Sequence, residues 1–132
     1  MKRVLFVCVH NSGRSQIARA FLETLGRGVA IAESAGTMPS ESLNPVVVQV
    51  MKEKGLGISD NKPQMLTQDM ADRADRVITM GCSIEEACPA VFIPGEDWGL
   101  EDPAGKTIEI VRAIRDQIEE KVKGLIAELE VT

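Results

Sequence analysis

The first 25 residues place an apolar run, a short polar loop and a helical pattern in direct succession. Residues 3–9 (RVLFVCV) predict a strand, and the unbroken apolar run within it is typical of strands buried on both faces of a parallel sheet. Residues 15–25 carry apolar side chains at helical spacing. A strand that leads directly into a helix is the first half of a βαβ unit. This opening therefore restricts the chain to folds in which strands and helices alternate.

The rest of the sequence continues that alternation. Asn44 followed by Pro45 is a helix-start signal, because Asn caps the first turn and proline is accepted at the first helical position. Apolar side chains recur every three or four residues over 108–129, which predicts a long amphipathic helix whose charged residues form a solvated face. The other predicted elements are strands at residues 29–34, 76–80 and 90–93 and helices at residues 45–54 and 68–74.

These elements predict one domain over residues 1–132. We expect an α/β three-layer sandwich with a parallel sheet of about four strands and helices on both faces. Three stretches fall at predicted carboxyl ends of strands, namely Cys8, residues 34–36 and Cys82. Ligands of such sheets lie beyond the carboxyl ends of the strands. The sequence therefore predicts one site at this edge, built on residues 8–15, which are named the anion loop below.

The anion loop (CVHNSGRS) combines a thiol, unpaired backbone amides and a guanidinium. Amides at a helix N-terminus have no partner within the helix and suit an anion, and Arg14 adds a planar fork of donors. This combination predicts a cup for a tetrahedral oxyanion and stabilises a thiolate at Cys8, the expected nucleophile. The predicted oxyanion-binding residues are Val9, His10, Asn11, Ser12, Gly13, Arg14 and Ser15.

Three residues are expected to shape this cup. Gly13 lets the backbone approach a ligand closely, Asn11 holds the loop in a left-handed conformation, and Ser15 donates a hydrogen bond to the Cys8 sulfur. A cysteine that ends a buried strand is usually only a small apolar core residue. The flanking strand and helix, with Asn11 and Ser15 inside the loop, favour the catalytic interpretation.

Charge and composition exclude several partners. The formal net charge is −5 and aromatic residues make up 3% of the chain, so neither a basic nucleic-acid face nor a stacking platform is expected. No apolar run reaches the roughly 20 residues of a membrane span. The three cysteines are an odd number, which suggests thiols or a redox cycle in a reducing compartment. We expect a cytoplasmic monomer that binds neither nucleic acid nor membranes.

The anion loop, with its flanking strand and helix, resembles the low-molecular-weight protein tyrosine phosphatase superfamily, which includes the thioredoxin-coupled arsenate reductases. A second motif near the C-terminus, EDWGLEDPAG, extends the resemblance over essentially the whole chain. The resemblance implies a phosphatase-like fold. It also implies that Asp102 is the general acid that protonates the leaving oxygen.

Departures from the phosphatase pattern favour the reductase. The phosphatases usually carry tyrosines after the Asp-Pro pair and a second cysteine in the loop, whereas this chain has Ala104, Gly13 and no tyrosine. The arsenate reductases carry a cysteine pair in the region of Cys82 and Cys88. A phosphatase acting on phosphotyrosine or small phosphate esters is the alternative. A non-catalytic oxyanion-binding module or a thiol redox sensor is a third interpretation.

The resemblance implies a disulfide cascade. Cys8 attacks arsenate, Cys82 attacks the Cys8 sulfur as arsenite leaves, and Cys88 then attacks Cys82 and frees Cys8. Thioredoxin or a similar dithiol reductant would reduce the final disulfide, and no cofactor is expected. Some of these reductases bind potassium through an acidic residue where this chain has Arg19, and a zinc site would need all three thiols plus His10 or a carboxylate. We therefore predict no metal site.

Overall fold

The computed structural model, described for residues 1–81 and 96–131, contains one parallel sheet. Its strands are β1 (Lys2–Cys8), β2 (Ala30–Gly36), β3 (Arg76–Thr79) and β4 (Glu96–Asp97), in the spatial order β2-β1-β3-β4. The strands end almost level with one another, because Cys8 pairs with Gly36 and Thr79 pairs with Asp97. Their carboxyl ends therefore share one edge of the sheet.

Helices cover both faces of this sheet. They are α1 (Arg14–Leu25), α2 (Pro45–Lys52), α3 (Gln68–Arg73) and α4 (Ile108–Glu130). One face of β1, with Val4 and Phe6, packs in the larger core cluster with residues of α1, α2 and α4. The opposite face, with Leu5 and Val7, packs in a smaller cluster with Met70 of α3. The described residues thus form the three-layer α/β arrangement that the sequence predicts.

The central strand anchors both layers. Val4, Leu5, Phe6 and Val7 are fully buried. Each such side chain contributes roughly 1.5–3 kcal/mol to folding relative to an exposed position. Burial on both faces requires the continuous apolar run seen in the sequence, and it fixes the register of β1 between its two neighbours.

The helix-start signal at Asn44 and Pro45 acts as predicted. The side chain of Asn44 accepts hydrogen bonds from the backbone N–H groups of Val46 and Val47, with Pro45 in the first turn. Thr67 and Thr107 cap α3 and α4 in the same way. These caps satisfy donors that have no partner within the helix.

Several boundaries differ from the predictions. β2 begins and ends later than expected, at Ala30 and Gly36, and α2 ends at Lys52 rather than at residue 54. The strand predicted at residues 90–93 lies outside the described residues, and β4 is Glu96–Asp97, which was not predicted as a strand. The charged side of α4 is not entirely solvated, since Arg115 is buried against α2. Within the described residues, no helix is long and apolar enough to cross a bilayer.

Candidate active site

The predicted nucleophile lies at the carboxyl end of the central strand. Cys8 is the last residue of β1 and is 2% exposed. The backbone N–H of Asn11 donates to its sulfur at 3.2 Å, and the Ser15 hydroxyl lies 2.8 Å from the same atom. A thiolate has no hydrogen to give, so both groups donate to it in that form. Two such charge-assisted hydrogen bonds stabilise the reactive anion.

The backbone of the anion loop is held from outside through its carbonyl groups. Four of these carbonyls accept hydrogen bonds from backbone N–H groups of the segment after β2, at 2.8–3.3 Å; the acceptors are Cys8, Val9, His10 and Ser12. A trans peptide directs its C=O and N–H to opposite sides. The N–H that follows each bonded carbonyl is therefore turned inward, as the Asn11 N–H, which reaches the Cys8 sulfur, demonstrates.

Asn11 is the buried pivot of this loop. Its φ of 52° places it in the left-handed region, where residues other than glycine are uncommon. Its Nδ2 donates to the Ser15 hydroxyl at 2.6 Å, and its Oδ1 accepts the backbone N–H of Gln64 at 2.9 Å. The backbone conformation agrees with the sequence expectation for Asn11. The support from Gln64, 53 residues away, had no signal in the sequence.

Arg14 is a buried cation bonded mainly to backbone. Its side chain is enclosed, and its Nη1 donates to the carbonyls of Met80 at 2.6 Å and Leu100 at 2.8 Å. Its Nη2 lies 3.8 Å from Asp102 Oδ2. The two carbonyls fix one nitrogen, and they lie next to the carboxyl ends of β3 and β4. This geometry orients the guanidinium plane at the edge of the sheet.

Asp102 is held beside Arg14 by a tight turn. Its Oδ1 accepts the backbone N–H of Ala104 at 3.0 Å, and its side chain is 49% exposed. The neighbouring Pro103 lies against the anion loop: a Cβ placed on Gly13 would approach Pro103 Cγ to 2.8 Å. Gly13 has a φ of −138°, so it is required by this close contact rather than by a left-handed backbone. Contact between Pro103 and the anion loop therefore fixes the position of Asp102.

A second glycine lies on the other side of Arg14. Gly81 has a φ of 90°, and a Cβ there would come within 2.4 Å of the Leu100 carbonyl oxygen and 3.0 Å of Arg14 Nη1. Asp97 Oδ1 accepts both the Gly81 N–H at 2.7 Å and the Thr79 hydroxyl at 2.8 Å. The chain thus passes directly beside the Arg14 guanidinium at the residue that precedes Cys82. Neither Gly81 nor Asp97 was predicted from the sequence as part of the site.

The cup is lined by residues from three chain segments. They are Cys8, His10, Ser12, Gly13, Arg14, Asn44, Asp102, Pro103 and Ala104. The structure therefore brings Cys8, Arg14 and Asp102 together, and it adds Asn44, which the sequence identified only as a helix cap. His10 is exposed, and its Nδ1 lies 3.1 Å from the Met38 carbonyl oxygen. Val9 contributes its carbonyl to the support of the loop.

The remaining residues of interest lie elsewhere. Trp98, in the EDWGLEDPAG motif, packs with its ring 5.7 Å from that of Phe6 and beneath the Lys121 ammonium, so it belongs to the core rather than to the lining of the cup. Cys82 and Cys88 lie outside the described residues. In the part of the chain that the structure describes, no three His, Cys, Asp or Glu side chains are grouped as metal ligands would be.

Comparison with protein families matches residues 3–132 to the low molecular weight phosphotyrosine protein phosphatase family. The chain is 39% identical to the glutaredoxin arsenate reductase of Synechocystis sp., with 98% of this chain and 99% of that protein covered. It is 40% identical to a putative arsenate reductase of Halobacterium salinarum, over 93% of this chain and 89% of the relative.

Solved structures give the same similarity. An arsenate reductase in its phosphate-binding state superposes with a TM-score of 0.87 at 38% identity, covering 98% of this chain and 99% of that one. The YwlE arginine phosphatase of Geobacillus stearothermophilus gives 0.83 at 30% identity, over 99% and 94%. A thioredoxin-dependent arsenate reductase of Corynebacterium glutamicum gives 0.81 at 36% identity, over 99% of this chain and 63% of that chain.

Proposed function

The chain belongs to the low molecular weight phosphotyrosine protein phosphatase family, and we propose that it reduces arsenate to arsenite. The observation that carries this proposal is the convergence of two hydrogen-bond donors on the Cys8 sulfur, inside a loop whose amides and Arg14 suit a tetrahedral oxyanion. The identity of 39% to an arsenate reductase over nearly the whole chain supports the choice of arsenic over phosphorus chemistry. Cys82 and Cys88 supply the further thiols that a two-electron reduction needs.

The first step is substitution at arsenic. Arsenate binds in the cup against the inward N–H groups of the anion loop and the Arg14 guanidinium, since carbonyl contacts at Nη1 leave Nε and Nη2 for the anion. The Cys8 thiolate forms an S–As bond as one As–O bond breaks. Asp102 gives its proton to the departing oxygen, which leaves as water. Arsenic remains in oxidation state +5 at this stage.

The second step transfers two electrons. The Cys82 thiolate attacks the Cys8 sulfur, the S–As bond breaks, and its electron pair stays on arsenic, which leaves as arsenite in oxidation state +3. A Cys8–Cys82 disulfide is formed. Gly81, the residue before Cys82, lies beside Arg14, which supports an attack from this side of the cup.

Recycling requires an external dithiol. The Cys88 thiolate attacks Cys82, releases Cys8 and leaves a Cys82–Cys88 disulfide, which a dithiol reductant then reduces. Relatives are named for both thioredoxin and glutaredoxin, and we assign thioredoxin on the basis of the three-cysteine set. We also assign a monomer, because every proposed site residue lies in one chain, and a cytoplasmic location, because the thiols must be reduced again after each turnover.

Arsenite release with different reductants tests this proposal. The protein with arsenate, thioredoxin, thioredoxin reductase and NADPH should release arsenite over many turnovers, and Cys88→Ser should stop after about one equivalent because its first disulfide is not passed on. Cys8→Ser is the inactive control. Absence of arsenite with thioredoxin and with glutaredoxin plus glutathione would reject the reductase, whereas turnover with glutaredoxin alone would reject only the assigned reductant.

A phosphatase is the second candidate, and one observation favours it. Cys8, Arg14 and Asp102 alone are sufficient for phosphate-ester hydrolysis through a cysteinyl phosphate, and the chain resembles an arginine phosphatase at 30% identity. Arsenite release separates the two functions, because hydrolysis of p-nitrophenyl phosphate needs only these three residues and is expected of both. A phosphatase should hydrolyse this ester equally well as wild type and as a Cys82→Ser, Cys88→Ser double variant, and its wild type should release no arsenite.

A further inference from the structure

Gln16 is a fully buried amide in the first turn of α1 whose role no part of the proposed mechanism explains. Its side chain is 0% exposed, and both of its side-chain polar atoms are hydrogen-bonded. Its Nε2 donates to the Asn11 carbonyl oxygen at 3.1 Å and to Asn11 Oδ1 at 3.2 Å. Its Oε1 accepts from Asn61 Nδ2 at 3.3 Å. Burying an amide is tolerated only when such bonds are made, so its position here is specific.

The directions of these bonds are fixed by groups that have only one role. The backbone N–H of Gln64 can only donate, so Oδ1 of Asn11 faces it and Nδ2 of Asn11 faces Ser15. Gln16 meets two acceptors on Asn11, the backbone carbonyl and Oδ1, so it presents Nε2 to them. Its Oε1 must then face Asn61, which presents Nδ2. The side-chain amides of Asn11, Gln16 and Asn61 form one row of hydrogen bonds, and each of them therefore has one possible orientation.

This order of donors ends at the reactive sulfur. Because the Ser15 oxygen accepts from Asn11 Nδ2, the hydroxyl hydrogen is available for Cys8 Sγ at 2.8 Å. Gln16 Nε2 also donates to the backbone carbonyl of Asn11. This hydrogen bond stabilises the left-handed conformation of Asn11, which brings the Asn11 N–H to the same sulfur. Gln16 is therefore connected to both hydrogen bonds that Cys8 receives from the loop.

We propose that Gln16, oriented by Asn61, is a positioning residue that sets the Asn11 and Ser15 hydrogen bonds to Cys8 and so stabilises its thiolate. The inference deepens the proposed function, since the thiolate is the nucleophile of that reaction. It also assigns a function to the loop around Asn61. That loop contributes a donor to the row although none of its side chains lines the cup.

The pH dependence of Cys8 alkylation tests this directly and does not require arsenate. Gln16→Met keeps the length of the side chain and removes its hydrogen bonds. The pH at which alkylation by iodoacetamide is half-maximal should rise by about 0.5 to 1 unit in this variant, because weaker hydrogen bonds to an anion disfavour the charged form. Gln16→Glu should shift it further, since a carboxylate presents no hydrogen to the two Asn11 oxygens.

Gln68→Met is the control. It removes a side-chain amide hydrogen bond to Asp72 Oδ1 at 2.9 Å in α3, outside the hydrogen bonds that lead to Cys8. It should therefore leave the half-maximal pH of alkylation unchanged. Asn61→Asp, at a partly exposed position, removes the donor to Gln16 and should produce a smaller upward shift, which provides a test even if Gln16→Met folds poorly.

The route of the effect is tested in a Ser15→Ala background. If Gln16 acts through Ser15 and Asn11, the shift caused by Gln16→Met should be smaller in Ser15→Ala than in wild type, because the two changes affect one network. A wild-type alkylation profile in Gln16→Met, Gln16→Glu and Asn61→Asp would overturn the proposal, as would an equal shift in Gln68→Met. Failure of wild type to release arsenite would reject the reductase while leaving the alkylation result decisive for Gln16.

Discussion

Two nearly buried arginines differ in how their charge is neutralised. Arg14, at the start of α1, is 5% exposed, and Arg115, in α4, is 8% exposed. Each donates from Nη1 to backbone carbonyls, Arg14 to Met80 and Leu100 and Arg115 to Val50. In both, backbone oxygen fixes the orientation of a guanidinium. The carboxylates around them are arranged differently.

Arg115 has close acidic partners on two sides. Glu53 Oε1 lies 2.8 Å from its Nη1, and Asp116 Oδ1 lies 2.9 Å from its Nε. Among the described residues, the one carboxylate within ion-pair distance of Arg14 is the half-exposed Asp102, at 3.8 Å. A buried charge without close partners is costly, and a bound anion can relieve that cost. The difference indicates that Arg115 joins two helices, and it supports the proposed role of Arg14 as a partner for an oxyanion.

Replacing each arginine by lysine is the strongest test of this contrast. Arg14→Lys keeps the charge but cannot bond two carbonyls and an oxyanion at once, because an ammonium lacks the planar fork. Arsenite release should fall by about 10³-fold, the upper range for loss of a transition-state donor. The kcat and KM of arsenite release with the thioredoxin system measure this.

Arg115→Lys is the control for that experiment, and its arsenite release should stay within about twofold of wild type, as for a change away from the site. Phosphate should protect Cys8 from alkylation in Arg115→Lys but not in Arg14→Lys. Similar losses of activity in the two variants would remove the distinction between the arginines.

Asp102→Asn removes the one acidic side chain near Arg14 among the described residues, so it increases the difference between Arg14 and Arg115. The maximal rate should fall by about 10²-fold, because the departing oxygen loses its proton donor. Affinity for phosphate should stay equal or rise, since a negative charge 3.8 Å from Arg14 is removed. Protection of Cys8 from alkylation across a phosphate titration gives the affinity. Weaker phosphate binding in Asp102→Asn would mean that Asp102 holds the anion rather than the proton.

The contrast also separates what the sequence predicts from what it does not. The anion loop was predictable because Cys8, Asn11, Arg14 and Ser15 stand within eight consecutive residues, whose strand and helix flanks have clear periodicity. The carbonyl partners of Arg14 were not predictable, because every residue has a backbone carbonyl whatever its type. The two partners also lie 66 and 86 positions away in the sequence.

Contacts between distant segments also explain what the sequence did not show. The packing of Pro103 against Gly13 could not be predicted from local pattern, and the expected role of Gly13 beside a ligand stays a prediction. Arg115 falls among the many charged residues of α4 and was interpreted as solvated, since helical spacing does not show that a neighbouring helix covers that position. Local geometry was therefore predictable here, and the identity of partners across the fold was not.

Arg115→Met tests the structural arginine alone. It leaves the Val50 carbonyl without its donor, so the free energy of unfolding should fall by about 1–3 kcal/mol, the cost of leaving a buried polar group unpaired. Arsenite release at 25 °C should be unchanged, because the residue lies in the α2–α4 contact and not in the cup. Urea denaturation followed by circular dichroism measures the stability. Unchanged stability would mean that the buried guanidinium is dispensable.

The smallest expected effect concerns Glu53, the shared acidic partner. The hydrogen bonds from Arg112, followed by those from Arg115, lower the pKa of Glu53 from 4.5 to about 2. With a folded pKa below the unfolded one, the unfolded chain binds more protons between those values. The contribution of Glu53 to stability is therefore present above about pH 4.5 and is lost as pH falls towards 2.

Glu53→Gln removes that titration. The free energies of unfolding of wild type and Glu53→Gln should converge as pH falls from 6 to 2, with wild type more stable at the upper end. The same comparison, with and without Glu53→Gln, can be made in an Arg112→Gln and in an Arg115→Met background. The convergence should be weaker in the Arg112→Gln background, because the Arg112 hydrogen bond is the larger cause of the low pKa of Glu53. Urea titrations at several pH values give these curves. Parallel curves for wild type and Glu53→Gln would show that the ion pairs of Glu53, including the one with Arg115, have no bearing on stability. Asp116 would then be the acidic partner that distinguishes Arg115 from Arg14.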